Sequence, residues 1–493
     1  MRQDFVIVGS GISGMTAALL LSRQGFKVTL VEKFQLASPT MRGFSRQDVY
    51  FDTGLHYTGS FAPGEILDVY FRYLGLEGIV RTPFDPHCFD RVRYPAETLE
   101  FQLPVGYERI RDKLCDNFPR ETKAIHTYLD DVRENFDSSP FLNLKRKVSV
   151  DDLGSSASTV TLRSYLDNLT NDDLLKSVLS VHALLYGVPP QEIAFSDHAK
   201  IAGSYYQSVH GIEGGGLSVV KAFEAALERS EVAIHFGNGA KQVQLTPAGK
   251  ICGLILDNNE VIETDQIIST IHPAKLLDLV PDGTFRPTYS RRLRELVDTP
   301  SAYMLFGISE KPLQIIERSN LFVCPETDVD NFFHPNRLPE QGPWYIASTK
   351  QKNNEKRGIV VIAPGSIQDV ASWKSSKLGK RPIEYREHKE KRLDHMRTSL
   401  LKHVPELESV RFIEGATPLT LRDYMHTPTG SLYGVRHTVN QFNPAPATRI
   451  SGLLLAGQSI VAPGLLGAII SAFLTCGFII GHNKLRKELR ECN

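Results

Sequence analysis

Phe5-Val6-Ile7-Val8-Gly9-Ser10-Gly11-Ile12-Ser13-Gly14 is a short apolar run that ends in Gly-x-Gly-x-x-Gly. A helical pattern follows at once, Met15 to Arg23, and a second apolar run, Lys27 to Val31, ends in the acid Glu32. Strand, glycine turn, helix, strand and acid in that order is the context in which such glycines predict a dinucleotide site. Gly9 permits the tight turn, Gly11 lets the backbone approach a pyrophosphate, and Gly14 lets the helix lie close to the strand. Ser10, Ile12 and Ser13 stand between these glycines, where the helix begins. The N-terminus of that helix offers unpaired N–H groups and positive partial charge to phosphates. Glu32, with Lys33 beside it, is placed to accept hydrogen bonds from an adenosine ribose and disfavours a 2′-phosphate. The alternative is a glycine turn in an ordinary α/β unit.

The chain has 493 residues, more than one compact core accommodates, so two or more domains are expected. Hydrophobic residues make up 41% and charged residues 23%, the balance of an ordinary soluble globular protein. Lys+Arg and Asp+Glu are both 56, and a net charge of zero argues against a nucleic-acid partner. Six cysteines lie far apart, with no C-x-x-C pair and no metal-ligand spacing, which points to a reducing compartment and no bound metal. The glycine motif begins at residue 9, which leaves no room for a signal peptide, and a cytoplasmic location is expected. The stretch Gly464 to Gly481 is almost continuously apolar, but four glycines dilute it and a proline precedes it. It reads as a buried core helix better than as a membrane span.

Further along, Ile66 to Leu74, Ile125 to Val132, Leu162 to Leu169 and Leu174 to Tyr186 are helix-like and form a mostly helical insertion. Gly211-Ile212-Glu213-Gly214-Gly215-Gly216 opens an amphipathic helix with Leu217, Val220, Phe223, Ala226 and Leu227 on its inner face. Short strands follow at Val232–Phe236, Ala240–Leu245, Ile251–Asp257 and Val261–Ile268. The last of these runs into an unalternating stretch, Gln266 to Thr270, that reads as a buried parallel strand. Tyr303 to Ile308 and Ile359 to Pro364 read as strands, and Pro382 to His403 as a charged helix with a solvated face.

Two further stretches decide the class: Phe51-Asp52-Thr53-Gly54-Leu55-His56-Tyr57-Thr58-Gly59, and Ser451 to Ala468, which contains Ala456-Gly457-Gln458 and Pro463-Gly464-Leu465-Leu466-Gly467. With the N-terminal motif, Thr417-Pro418-Leu419-Thr420 and Pro428 to Gly434, they resemble the phytoene desaturase-like flavoproteins of the amine-oxidase-like superfamily. That group includes carotenoid desaturases, carotenoid isomerases and retinol saturases, and Asp52 to Gly59 leans toward the last. The resemblance runs through the whole chain in order. It implies an α/β fold: a Rossmann-like, glutathione-reductase-type FAD-binding domain with a discontinuous α+β substrate domain and a helical insertion. Residues 1–85, 205–285 and 406–493 are assigned to the FAD-binding domain, and 86–204 and 286–405 to the substrate-binding domain.

The resemblance also implies cofactor contacts. The C-terminal helix would point its N-terminus at the charge a reduced flavin carries, through Gly464, Leu465, Leu466 and Gly467, with Gly457 and Gln458 just before. Gly54 is expected near the flavin, and Val243 resembles the strand residue whose backbone meets the adenine. One departure stands out. Members of the group commonly carry Gly-Gly, often followed by Arg, after the ribose acid; here the place reads Ala37-Ser38-Pro39-Thr40-Met41-Arg42. Pro39 has no N–H to donate, and Arg42 is the candidate for a phosphate contact in its stead.

FAD would supply the redox chemistry, with a hydride exchanged between a substrate carbon and flavin N5 while a proton moves on the neighbouring carbon. His56 and Tyr57 are the first candidates for that proton, and Asp423, Tyr424 and Tyr433 the second; a histidine tuned near neutrality suits this duty. The expected activity is saturation or desaturation of C–C bonds in a long apolar polyene or isoprenoid. Three alternatives stand beside it: a redox-neutral cis–trans isomerase using reduced FAD, an amine-oxidase-like enzyme, and a non-redox prenyl-binding carrier. Val69, Tyr70, Phe71, Tyr73 and Leu74 could form an apolar entry that puts the protein on a membrane face, or could be packing.

Overall fold

The computed structural model describes residues 2–147, 159–349 and 355–492. Its N-terminal strand β1 (Phe5–Val8) leads through the Gly9 turn into α1 (Ile12–Arg23) and then β2 (Val28–Val31). Every residue of both strands is buried, and they pair in parallel with Val6 opposite Thr29. Gly9 sits at φ 102°, a conformation open to glycine and strained for other residues. A Cβ on Gly14 would collide with the Gly9 carbonyl oxygen, so the glycine lets α1 rest directly on the turn.

The parallel sheet is completed from distant parts of the chain. β3 (Ala233–His235) pairs with β2, β4 (Ile267–Ser269) with β1, and β5 (Leu453–Leu455) with β4, giving the order β3-β2-β1-β4-β5. The run expected as one strand from Val261 to Ile268 is two. Val261–Glu263 closes an antiparallel meander with Ala240–Leu245 and Ile251–Leu256, and β4 joins the parallel sheet. The break falls at Thr264, whose hydroxyl accepts from the Gln266 N–H and so turns the chain.

Helix α2 (Gly215–Arg229) buries Val219, Val220, Phe223, Ala226 and Leu227, while Leu217, expected inside, is half-buried at its first turn. Helix α3 (Gly464–Ile480) packs against α1 in the largest apolar core. Among the described residues no helix is long and apolar enough to cross a membrane. The helix Ile66–Tyr73 belongs to this same core: Val69, Tyr70, Phe71, Tyr73 and Leu74 are all buried, with Tyr70 and Tyr73 against Phe473. They are packing, and form no surface entry.

The second body is a seven-stranded sheet in the order Arg411–Ala416, Ser301–Ser309, Arg357–Gly365, Trp344–Thr349, Asn320–Val323, Asp90–Tyr94, Leu99–Leu103. One of its pairings is parallel, Asn320–Val323 with Asp90–Arg93; the others are antiparallel. Its strand Arg411–Ala416 lies beyond the boundary expected at residue 405. Helices between Tyr107 and Gln207 cover one face, over Phe322, Tyr345 and Ala347. The helix Ile383–His403 covers the other, over Leu321, Val323, Trp344 and Ile346. Along Ser301–Ser309, Tyr303 and Leu305 join the core under that helix while Ala302, Met304, Phe306 and Ile308 pack with Val49 and Phe51, which is why the strand is buried at every position and shows no alternation.

Candidate active site

Three helix N-termini differ in what meets them. Helix α1 starts after Gly11 and α3 after Pro463; neither has a side-chain cap or an acid in its first turn. The two helices touch where the Ser13 hydroxyl donates to the Ala468 carbonyl at 2.7 Å. A Cβ on Gly11 or Gly464 would meet nothing within 4 Å. Two uncapped helix ends, side by side and facing open space, leave N–H groups for an anion. Helix α2 is closed instead by the Asp52 carboxylate, which accepts from the Gly216 N–H at 2.8 Å and the Tyr50 hydroxyl at 2.9 Å. Burial outweighs these bonds and raises the Asp52 carboxyl to about 7.

The other expected cofactor residues surround this cradle. Gly9 and Gly457 flank the same residue, Thr270. The Gly457 N–H is fixed by the Ser471 hydroxyl of α3, and the Gln458 carbonyl lies 3.0 Å from His437 Nε2. Leu465 is buried and Leu466 half-buried, and Gly467 packs against the Ala462 carbonyl. Glu32 holds the turn: one oxygen accepts from the Ser10 N–H and hydroxyl, the other from the Phe34 N–H. Lys33 is exposed beside it, and Gly54 lies against Thr40 of the short turn Pro39–Arg42. Val243 is buried in the strand Ala240–Leu245, an edge strand of its sheet with one side of its backbone open. Arg42 is taken up elsewhere. Its guanidinium pairs with Glu224 of α2 and donates to the Ala37 carbonyl.

Beyond Gly54 the chain enters a cluster of packed aromatic side chains, here termed the chamber. Tyr57 lies against Tyr205, with ring centroids 4.9 Å apart, and stacks at 6.3 Å on Tyr345. Burial holds the Tyr205 and Tyr345 hydroxyls protonated, and Tyr433 is close enough to both to add to that effect. His56 lies 5.4 Å from the Tyr345 ring, and burial lowers its imidazole to about 4. It is neutral at physiological pH, so the expected tuning near neutrality is not what this environment produces. The Tyr345 hydroxyl is buried and has no hydrogen-bond partner among the described residues.

The Tyr57 hydroxyl donates at 2.9 Å to Asp90, a carboxylate with 0% exposure. The same oxygen lies 3.0 Å from His182 Nε2, and Asn320 donates to the other oxygen at 2.9 Å. The parallel register that sets Asn320 opposite Asp90 makes the last bond possible. Burial and the Asp90 charge both raise Tyr57 well above the ordinary phenol range, so it stays protonated. Asp423 and Tyr424 do not reach this chamber: Asp423 is ion-paired with Arg381 and Arg422, and Tyr424 is 45% exposed. No sequence motif marks Asp90, His182, Tyr205 or Tyr345, and Asp52 stands inside the stretch Phe51–Gly59. Among the described residues there is no cluster of metal-binding side chains.

A family model described as flavin containing amine oxidoreductase matches residues 12–344. The chain belongs to that family. It is 25% identical to an all-trans-retinol 13,14-reductase of Danio rerio over 98% of this chain and 87% of the relative. It is 24% identical to a hydroxyneurosporene desaturase of Rubrivivax gelatinosus, over 97% and 93%. Among solved structures, an oxidoreductase from Methanosarcina mazei superposes with a TM-score of 0.65 at 14% identity, covering 95% of this chain and 98% of that one. The protein is thus a flavin-dependent oxidoreductase of the carotenoid desaturase and retinol saturase group, and the open cradle over Gly11 and Gly464 fits the anionic part of a flavin cofactor.

Proposed function

We propose that the flavin is FAD and that the enzyme saturates or desaturates a carbon–carbon bond of a long apolar polyene. The observation that carries this reading is the chamber beside the cradle. Its rings are aromatic, and the buried carboxylates near them are committed: Asp90 accepts from Tyr57 and Asn320 and faces His182, and Asp52 accepts from the Gly216 N–H and the Tyr50 hydroxyl. An amine substrate would require an uncommitted carboxylate or its equivalent to meet the cation. A polyene requires only apolar and π surface. The relatives named for a reductase and a desaturase of such molecules support the same substrate class.

Bound FAD supplies or takes up the hydride. The glycine turn and the open ends of α1 and α3 hold its charged parts. Asp52 fixes the start of α2 against the Tyr50 hydroxyl and keeps that third helix end from competing for the anion. The aromatic rings exclude water and orient the polyene. Tyr57, immobilised by Asp90 with His182 and Asn320 behind it, is the residue we assign to the proton on the neighbouring carbon, with Tyr433 and neutral His56 lining the chamber. Its substrate is an apolar small molecule, and the protein is assigned to the cytoplasm without a nucleic-acid partner; liposome flotation tests whether it also sits on a membrane face.

The decisive experiment incubates the reduced and oxidised holoenzyme separately with candidate polyenes and follows product mass. A gain of two hydrogens identifies saturation and a loss identifies desaturation. Unchanged mass with altered chromatographic retention would replace the reading by isomerisation, and no product with bound polyene by a carrier.

A further inference from the structure

We propose that Ser38 is a phosphate-binding residue, its hydroxyl donating to a pyrophosphate oxygen of the dinucleotide held at the glycine turn. The inference rests on the FAD reading above. Ser38 occupies the left-handed region, φ 45° and ψ 60°, where glycine sits without strain and a side chain is disfavoured. It is 4% exposed. Its N–H lies 3.3 Å from the Ser10 hydroxyl oxygen, in the middle of the glycine turn, and its carbonyl accepts from the Met41 and Arg42 N–H groups. The backbone of Ser38 is therefore fully engaged and anchored to the cradle.

The side chain is not engaged. Each serine hydroxyl has one proton to give. Ser10 gives its proton to Glu32 at 2.5 Å, and Ser13 gives its own to Ala468 at 2.7 Å. Among the described residues the Ser38 hydroxyl has no partner. The neighbouring groups do not take its place: Pro39 has no N–H, and Arg42 is turned to Glu224 and the Ala37 carbonyl. The residue is 4% exposed, its hydroxyl keeps access to whatever fills the cradle, and it is held in a conformation that glycine would adopt freely. Beside it stand the uncapped N–H groups of α1 and the open space over Gly11. A ligand oxygen carrying negative charge is the partner that satisfies hydroxyl and helix end together.

The test compares wild type, Ser38→Ala and Ser38→Gly as holoenzymes. FAD affinity is read from the fluorescence of flavin released on dilution, and ADP and adenosine binding to the flavin-stripped proteins by calorimetry. Both variants are expected to lose roughly ten-fold or more in affinity for FAD, to lose the same factor for ADP, and to bind adenosine unchanged. Ser38→Gly is expected at the same time to raise the melting temperature of the flavin-stripped protein, because the strain goes while the ligand contact is lost. Affinity for FAD within about two-fold of wild type in both variants, or a loss for FAD without one for ADP, would overturn the proposal. Wild type that binds no FAD would overturn the cofactor reading and this inference together.

Discussion

The cradle and the chamber are built from different materials. The cradle is backbone: glycines that let helices approach, and helix ends left uncapped at Gly11 and Pro463. Its specificity is written in short stretches, because a turn and the helix it opens are neighbours in sequence. The chamber is side chain: Tyr57, Asp90, His182 and Asn320 come from four separate segments and meet on one buried carboxylate. Backbone sites tolerate changes of side chain but not of shape, whereas a satisfied polar network tolerates neither loss of a donor nor loss of the acceptor.

The comparison can be broken at its strongest point first. Gly14→Ala drives a methyl group into the Gly9 carbonyl, and the expected result is loss of bound flavin with destabilisation of about 2–3 kcal/mol. Flavin absorbance and thermal unfolding read both. Asp90→Leu strands three polar partners in a dry core, and an unfolding free energy lower by about 3 kcal/mol is expected in denaturant titration. The fraction that folds should still carry flavin, since the cradle is untouched; loss of flavin there would merge the two regions into one.

Asp52 sharpens the boundary between them. Its folded carboxyl, raised to about 7, binds a proton that the unfolded chain releases near 3.8. The folded state thus holds more protons across that interval. The contribution of this group to stability is present below pH 3.8, falls as pH rises toward 7, and is level above it. Asp52→Asn should remove this slope, amounting to a few kcal/mol, from melting curves taken between pH 4 and 7.

Tyr57→Phe keeps the ring and removes the hydroxyl. Turnover is expected to fall about 10²-fold with the flavin spectrum unchanged; undiminished turnover would take the proton away from Tyr57. The smallest effect is expected from Arg42→Ala. Its partly exposed pair with Glu224 is worth less than about 1 kcal/mol, and flavin affinity should hold. A large loss of flavin would restore Arg42 as a phosphate ligand.

The same contrast explains what could be read in advance. The glycine turn, the parallel strand at Gln266 to Thr270 and the helix after Pro463 each carry their signal within about 20 residues. The single run at Val261–Ile268 concealed a turn at Thr264 that depends on a side-chain bond. Asp90 sits in a strand whose alternation looks like that of any half-buried strand, and its partners lie 33, 92 and 230 positions away. Asp423 and Tyr424 are suitable by type and by motif, but the Asp423 carboxylate is spent on Arg381 and Arg422 and Tyr424 faces solvent. Ser38 was visible as a departure, though its left-handed backbone and free hydroxyl emerge only once the turn is folded.

The bond from Ser13 to Ala468 joins positions 455 apart in the chain. One open helix end is therefore made at the start of synthesis and its companion near the finish. The cofactor cradle cannot exist on a nascent chain until α3 has emerged, and long-range closure of this kind is slow to form. Cofactor capture becomes the closing event of biosynthesis, and a product cut short before residue 464 would lack half of its cofactor grip however well its first domain had formed.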